Sequence, residues 1–331
     1  TTYWRLNAGG PASVAGGTLF NTFGRNRETT ALTYRDPKTA RVEKRMDLVQ
    51  YGVADPPVVG DDRVFVNTFV EVFCFDSTSG EQLWRGPEMD GVGGQPTVQG
   101  DLVLVNGGGF RDVGPHLSAF DVSNGEEMWR YDIGRDSGST PAVADGRVYV
   151  STADGLHAID LATGEPSLTV PEVDSQGISP VVDSGTVFAN TGKYVAGGPE
   201  LVALDATDGT RRWRVPVDIA GIPVVTDDVV YAAVENRIAA LDRTDGSVRT
   251  RSTPQASPVG LVGDVLYATR KGTVYAFDVA NEMEKLWAIT TEEVRIQDTI
   301  GRTVYHVTPV DGAVYIAARD AFYGVGPTTD S

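Results

Sequence analysis

An aspartate that returns about every 41 residues, a proline that returns eight times in step with it, and short apolar runs between turn signals predict an all-β chain. Four such runs fit each unit, and about eight units fill the 331 residues. The expected architecture is an eight-bladed β-propeller of four-stranded antiparallel blades.

The first strand of each unit is expected after Pro11, Pro57, Pro96, Pro141, Pro180, Pro223, Pro258 and Pro309, followed in most units by an Asp/Gly turn and a second apolar strand. The third strand ends on the recurring aspartate: Asp36, Asp76, Asp121, Asp160, Asp205, Asp242 and Asp278, with Gly326 in that place in the eighth unit. The clearest copies read VFCFDSTSGEQLW (72–84), LSAFDVSNGEEMW (117–129) and LVALDATDGTRRW (201–213). The aspartate can accept N–H bonds from the turn behind it. Gly80, Gly125, Gly164, Gly209 and Gly246, four residues on, can take the positive φ that closes a hairpin. Asp36 and Asp278 are followed at that spacing by Ala40 and Glu282, so those two turns are expected to be built differently.

Two residues before six of the aspartates stand Cys74, Ala119, Ala158, Ala203, Ala240 and Ala276. A small residue at a fixed place in a strand that is apolar on both faces marks a tight slot between blades. Cys74, the single cysteine, reads as a substitute alanine there, and it can form no disulfide within the chain. The sequence Tyr3-Trp4-Arg5-Leu6 resembles the outer, Trp-bearing strand, while the eighth unit offers only two recognisable strands before the last residue. Pairing the two ends in one blade would close the ring, so residues 1–331 are expected to form a single domain and a monomer.

Charge narrows the partners. The formal net charge is −17, from 30 Asp and 15 Glu against 23 Arg and only 5 Lys. Such a field repels phosphate backbones, which argues against nucleic acid. The preference for short carboxylates and the scarcity of lysine are expected of a protein kept soluble in concentrated salt, a halophile's composition. No apolar run approaches the roughly 18 residues of a membrane span, and a lipid anchor, if present, would lie upstream of Thr1.

The pattern apolar-x-Ala-apolar-Asp-x-x-x-Gly-x-x-x-Trp, followed by Ser/Thr-Pro-x-Val and an Asp-Gly turn, resembles the PQQ-type propeller repeat. That repeat is shared by quinoprotein alcohol dehydrogenases and by BamB-like assembly lipoproteins. The enzymes imply an adjacent Cys-Cys pair, a calcium ion and a catalytic aspartate, whereas one cysteine excludes the pair. The BamB-like branch implies an extracytoplasmic or cell-surface protein that binds other proteins.

No catalytic residue and no metal site is predicted. His157 reads as a blade-face packing residue, and His116 and His306 as residues of connections without a second ligand at metal spacing. Gly91-Val92-Gly93-Gly94 and Gly107-Gly108-Gly109 read as turns rather than phosphate cradles. The informative feature is loop length. Connections between second and third strands are long at 21–30, 106–116 and 190–200, with another long connection at 289–308. These loops carry scarce cations and aromatics: Arg25, Arg27, Phe110, Arg111, Lys193, Tyr194, Arg295 and Arg302. They form the candidate binding patch. The expected function is a non-catalytic binding or scaffold propeller that recognises a protein or surface polymer through this variable rim and needs no cofactor. The alternative is an oxidoreductase using PQQ and a cation such as calcium in a central channel.

Overall fold

The structure is a computed structural model of the chain. It describes all residues except 1, 7–9, 25–29, 49–54, 90, 109–113, 135–138, 174–177, 192–197, 218–220, 236, 254, 293, 297–298, 302–303, 319–320 and 327–331. Its architecture is an eight-bladed β-propeller. Eight four-stranded sheets of antiparallel neighbours account for all but two of the strands among the described residues. We number the blades by chain position: blade 1 spans 12–48, blade 2 58–85, blade 3 92–132, blade 4 142–170, blade 5 181–216, blade 6 224–251 and blade 7 257–290. Blade 8 takes three strands from 304–325 and its outer strand from Thr2–Leu6, which pairs antiparallel with Phe322–Val325. The chain ends therefore meet in one blade, as expected.

The blades fall into two compact units. One holds blades 1, 7 and 8 and most of blade 2, and the other runs through blades 3 to 6. Within each unit the core lies between consecutive blades. In the second unit, Tyr149, Leu156 and Val170 of blade 4 pack against Val187, Val202 and Leu204 of blade 5, and Phe188, Leu201 and Trp213 of blade 5 pack against Val230, Ala239 and Leu241 of blade 6. In the first, Phe20, Leu32 and Tyr34 of blade 1 meet Val64, Phe73 and Phe75 of blade 2. Third strands are buried on both faces, whereas outer strands such as Gln82–Arg85 and Arg211–Pro216 bury little besides their tryptophan. This is what a sheet stacked between two others requires.

The small residue and the tryptophan belong together. Ala119, Ala203, Ala276 and Gly324 stand directly opposite Trp129, Trp213, Trp287 and Trp4 on the neighbouring outer strand. In blades 3, 5 and 7 the register slips by one residue immediately after that pair. The bulge bends the outer strand and swings the indole toward the next blade. There the Nε1–H of Trp129 donates to the Leu161 carbonyl at 2.9 Å and that of Trp213 to the Arg243 carbonyl at 2.8 Å. Each acceptor directly follows an anchoring aspartate. The glycine of the same turn lies on the ring: a Cβ on Gly164 would stand 2.8 Å from Trp129, and one on Gly246 2.9 Å from Trp213.

The aspartate turns form as expected. Asp160 Oδ1 accepts the N–H of Ala162 at 3.0 Å and of Thr163 at 2.9 Å, and the other anchors repeat all or part of this pattern. These bonds favour the ionised carboxylate: the Thr163 and Thr39 hydroxyls and N–H groups hold Asp160 and Asp36 below the usual range, and Arg212 with the turn amides brings Asp205 down to about 2. One expectation is corrected. The Asp36 turn is the same as the glycine turns, with Ala40 itself at φ 59° and its N–H bonded to the Asp36 carbonyl at 2.9 Å. Its backbone bonds over-determine a conformation that alanine rarely adopts. The Asp278 turn does differ, with two residues, Glu282 and Met283, at positive φ. Cys74 is fully buried and burial pushes its thiol up to about 12, so it packs as an alanine would and stays protonated.

Two outcomes follow. Gly246→Ala combines a strained φ with a clash into Trp213, whereas Gly185→Ala at φ 68° meets nothing within 4 Å. Urea denaturation should therefore show Gly246→Ala losing about 1–3 kcal/mol more than Gly185→Ala; equal losses would mean that the dock carries no energy. His306, in the strand Val304–Val310, is brought down to about 4 by burial. Its folded pKa lies below the unfolded value near 6.5, so the unfolded chain binds a proton first and stability falls as pH drops from about 6.5 to about 4. This group contributes up to about 3 kcal/mol of that loss, and His306→Gln should flatten that part of the profile in thermal melts.

Candidate binding rim

The strand ends that carry the long loops are fixed by amides. Asparagine stands ten residues after the repeat proline in four units, as Asn21, Asn67, Asn106 and Asn190. Asn190 Nδ2 donates to the Gly221 carbonyl at 2.9 Å, Asn106 to that of Ser139, and Asn21 to that of Gly10 at 2.7 Å. Asn106 and Asn190 thereby tie the end of a second strand to the segment entering the following blade. The Pro-x9-Asn spacing was the sequence signal for these residues, overlooked beside the more conspicuous aspartate.

Each long loop in the second unit has a built base. In blade 3, Gly107 pairs with His116 across the strand ends, and Gly108 sits at φ 88°, where a Cβ would stand 2.1 Å from the Gly114 carbonyl oxygen. Only glycine fits so close an approach. His116 is the first residue of the strand His116–Asp121 rather than part of a connection, is 3% exposed, and has Nδ1 2.9 Å from the Gly114 oxygen. In blade 5, the Thr191 N–H donates to the Glu200 carbonyl at 2.8 Å and the Glu200 N–H to the Thr191 hydroxyl at 2.9 Å.

Two hollows flank the blade 5 loop. One, of about 250 Å³, is lined by Asn190, Leu201, Val217, Ile222, Ala232 and Pro258; Ile222 is 53% exposed at its edge. The other, of about 220 Å³, is lined by Glu172, Thr191, Glu200, Val202, Arg211 and Arg214, with Arg214 3.5 Å from the Glu200 carboxylate. An apolar hollow beside one of mixed charge suits a polypeptide segment with a hydrophobic anchor and a polar flank.

Of the predicted patch, Arg25, Arg27, Phe110, Arg111, Lys193, Tyr194 and Arg302 lie outside the described residues. Arg295 lies in the strand Val294–Ile296, which pairs with Thr299–Gly301 as a small hairpin between blades 7 and 8, where the sequence suggested a plain connection. His157 matches its packing assignment: it is 9% exposed, lies 3.2 Å from the Tyr131 hydroxyl and 3.4 Å from that of Thr152, and burial lowers its pKa. His306 lies within a strand rather than a connection. Among the described residues no group of three or more His, Cys, Asp or Glu side chains could hold a metal ion, and no helix is long and apolar enough to cross a membrane.

The chain is similar to several known proteins in sequence and in fold. The kinase AfsK of Streptomyces coelicolor is 29% identical over 192 residues, which is 58% of this chain and 18% of the kinase. The outer membrane protein assembly factor BamB of Burkholderia pseudomallei is 26% identical over 294 residues, 80% of this chain and 73% of that protein. Quinohemoprotein alcohol dehydrogenase of Comamonas testosteroni is 29% identical over 152 residues, 39% of this chain and 22% of the enzyme. The chain thus spans about a fifth of the kinase that it matches over more than half its own length. In structure, BamB of Moraxella catarrhalis superposes with a TM-score of 0.73 at 14% identity, covering 95% of both chains, a likeness of fold. The family model described as outer membrane protein assembly factor BamB matches residues 1–132 and 113–321, nearly the whole sequence, and the chain belongs to that family.

Proposed function

We propose that this propeller is a non-catalytic scaffold that works outside the cytoplasm and holds a protein partner on the rim bearing its long loops. The observation that carries this reading is the pair of hollows at the braced base of the blade 5 loop, one apolar and one charged, within a chain of the BamB family. The name of the Burkholderia relative, an assembly factor, points the same way. In a field of net −17, Arg25, Arg27, Arg111 and Lys193 offer local sites for an acidic segment, and Phe110 and Tyr194 offer contact area at low entropy cost.

The dehydrogenase match favours a second reading, a quinone-dependent oxidoreductase. What speaks against it is the donor set. The only cysteine is Cys74, fully buried in a third strand, so the adjacent pair that the enzymes place over the quinone has no counterpart.

Two measurements test the first reading. A partner recovered by cross-linking from Lys193-side photoprobes should bind the Arg25, Arg27, Arg111 and Lys193 to Ser variant at least tenfold more weakly, while the variant's melting temperature stays unchanged. Equal affinity would remove the patch from the site. We infer a halophilic origin from the composition, and it predicts a melting temperature that climbs from low to molar KCl, as cations screen the crowded carboxylates; a flat curve would count against it.

A further inference from the structure

The sequence holds two Asn-Gly steps, Asn106-Gly107 and Asn124-Gly125, and the fold treats them in opposite ways. Asn106 is 1% exposed in the strand Leu102–Gly107, its Nδ2 donates to the Ser139 carbonyl, and Gly107 is paired with His116. Asn124 is exposed at the corner of the blade 3 aspartate turn, with Gly125 next to it at φ 73°. A glycine on the far side of the peptide bond leaves its nitrogen unhindered by a Cβ.

The bonds of this turn place the groups of a cyclisation side by side. Asn124 Oδ1 accepts the Glu126 N–H at 2.8 Å. That donor polarises the side-chain carbonyl and points at the oxygen on which negative charge develops when a nucleophile adds to Cγ. The nucleophile is the Gly125 nitrogen. Its N–H is held by the Asp121 carbonyl at 2.8 Å, a single bond of a surface turn, so its release is a local opening that leaves the strands paired.

Two sister turns show what the product would do. Blades 5 and 6 carry Asp208-Gly209 and Asp245-Gly246 at the same place, with glycine φ of 76° and 74°. Asp208 Oδ1 accepts the Thr210 N–H and Asp245 Oδ1 the Ser247 N–H, both at 2.8 Å, the bond that Asn124 makes to Glu126. An aspartate at 124 therefore fits a turn that the fold already builds.

We propose that Asn124 is a site of spontaneous deamidation, and that its aspartyl product keeps the turn. Hydroxide takes the Gly125 amide proton, the nitrogen bonds to Asn124 Cγ, and the Cγ–Nδ2 bond breaks, the leaving group taking a proton from water to depart as ammonia. Water then opens the cyclic imide at either carbonyl. One opening gives aspartate at 124. The other gives the β-linked isomer, which inserts an extra backbone atom between Asp121 and Gly125. That atom lies inside the rings closed by the Gly125 N–H on the Asp121 carbonyl and by the Asp121 N–H on the Glu126 carbonyl, so the isomer cannot keep both bonds.

The test ages the full, folded chain in mildly alkaline buffer and digests it with trypsin, which separates peptide 86–111, with Asn106, from peptide 112–130, with Asn124. Asn124 should take up the amide-to-acid mass shift roughly tenfold or more faster than Asn106, at a rate that rises with hydroxide concentration. Equal rates at the two sites would overturn the proposal, as would an Asn124 still unchanged when the free peptide 112–130 has been converted. Ion exchange then separates the aged products. The aspartyl form and the full-length Asn124→Asp variant should share the melting temperature of the parent, whereas the β-linked isomer should melt roughly 1–3 °C lower. An Asn124→Asp variant that melts below the parent would show that the turn rejects the product.

Discussion

Within each unit the fold depends on how an outer strand reaches the next blade. A sheet buried on both faces has no internal means of choosing its distance from a neighbour, since the hydrophobic drive that stacks the sheets has no direction. The tryptophan supplies the choice. Its ring needs a small residue opposite, a bulge to aim it, and a glycine turn to receive it, while its N–H needs a carbonyl in one place. Four positions in two blades are constrained at once. Replacing a buried Trp by Ala costs on the order of 3–5 kcal/mol, large beside the total stability of most domains. Where the tryptophan is missing, the seat is kept by other means: Leu168 and Val170 lie under Gly209, and Met46 under Gly80.

The same constraint separates the two ends of a blade. The end with the aspartate turns is committed to the dock, so its loops are short, their amides are used by carboxylates, and their glycines are pinned. The opposite end has no such duty. Its strands are tied by asparagine amides to the backbone of the next blade, leaving the loops above free to vary in length and composition. Binding chemistry can therefore accumulate there without disturbing the packing, and those loops carry Arg25, Arg27, Arg111 and Lys193.

Much of this was legible because repetition multiplies weak signals. A single Asp-x-x-x-Gly is a common turn; in register with a tryptophan and a small residue at fixed offsets, it fixes strand order, the turn and the slot together. The chain ends were legible for the same reason, since Trp4 could be matched to an outer strand with nothing to pair within its own unit. Ala40 was not: the pattern read its side chain, but the turn is set by backbone bonds that hold even an alanine at positive φ. His116 and His306 were not either, because loop boundaries carry no period, and whether a polar residue near a strand end is buried depends on what the neighbouring strands place over it.

The sequence by itself determined the blade count, the role of the aspartate and the smallness of the slot that holds Cys74, all of which are properties of one residue type at one spacing. Tertiary structure alone decided which carbonyls the Trp4, Trp129 and Trp213 indoles reach and where hollows open beside the blade 5 loop. Those depend on residues far apart in the chain, brought together by the stacking of one blade on the next, and no local pattern encodes the geometry of that stacking.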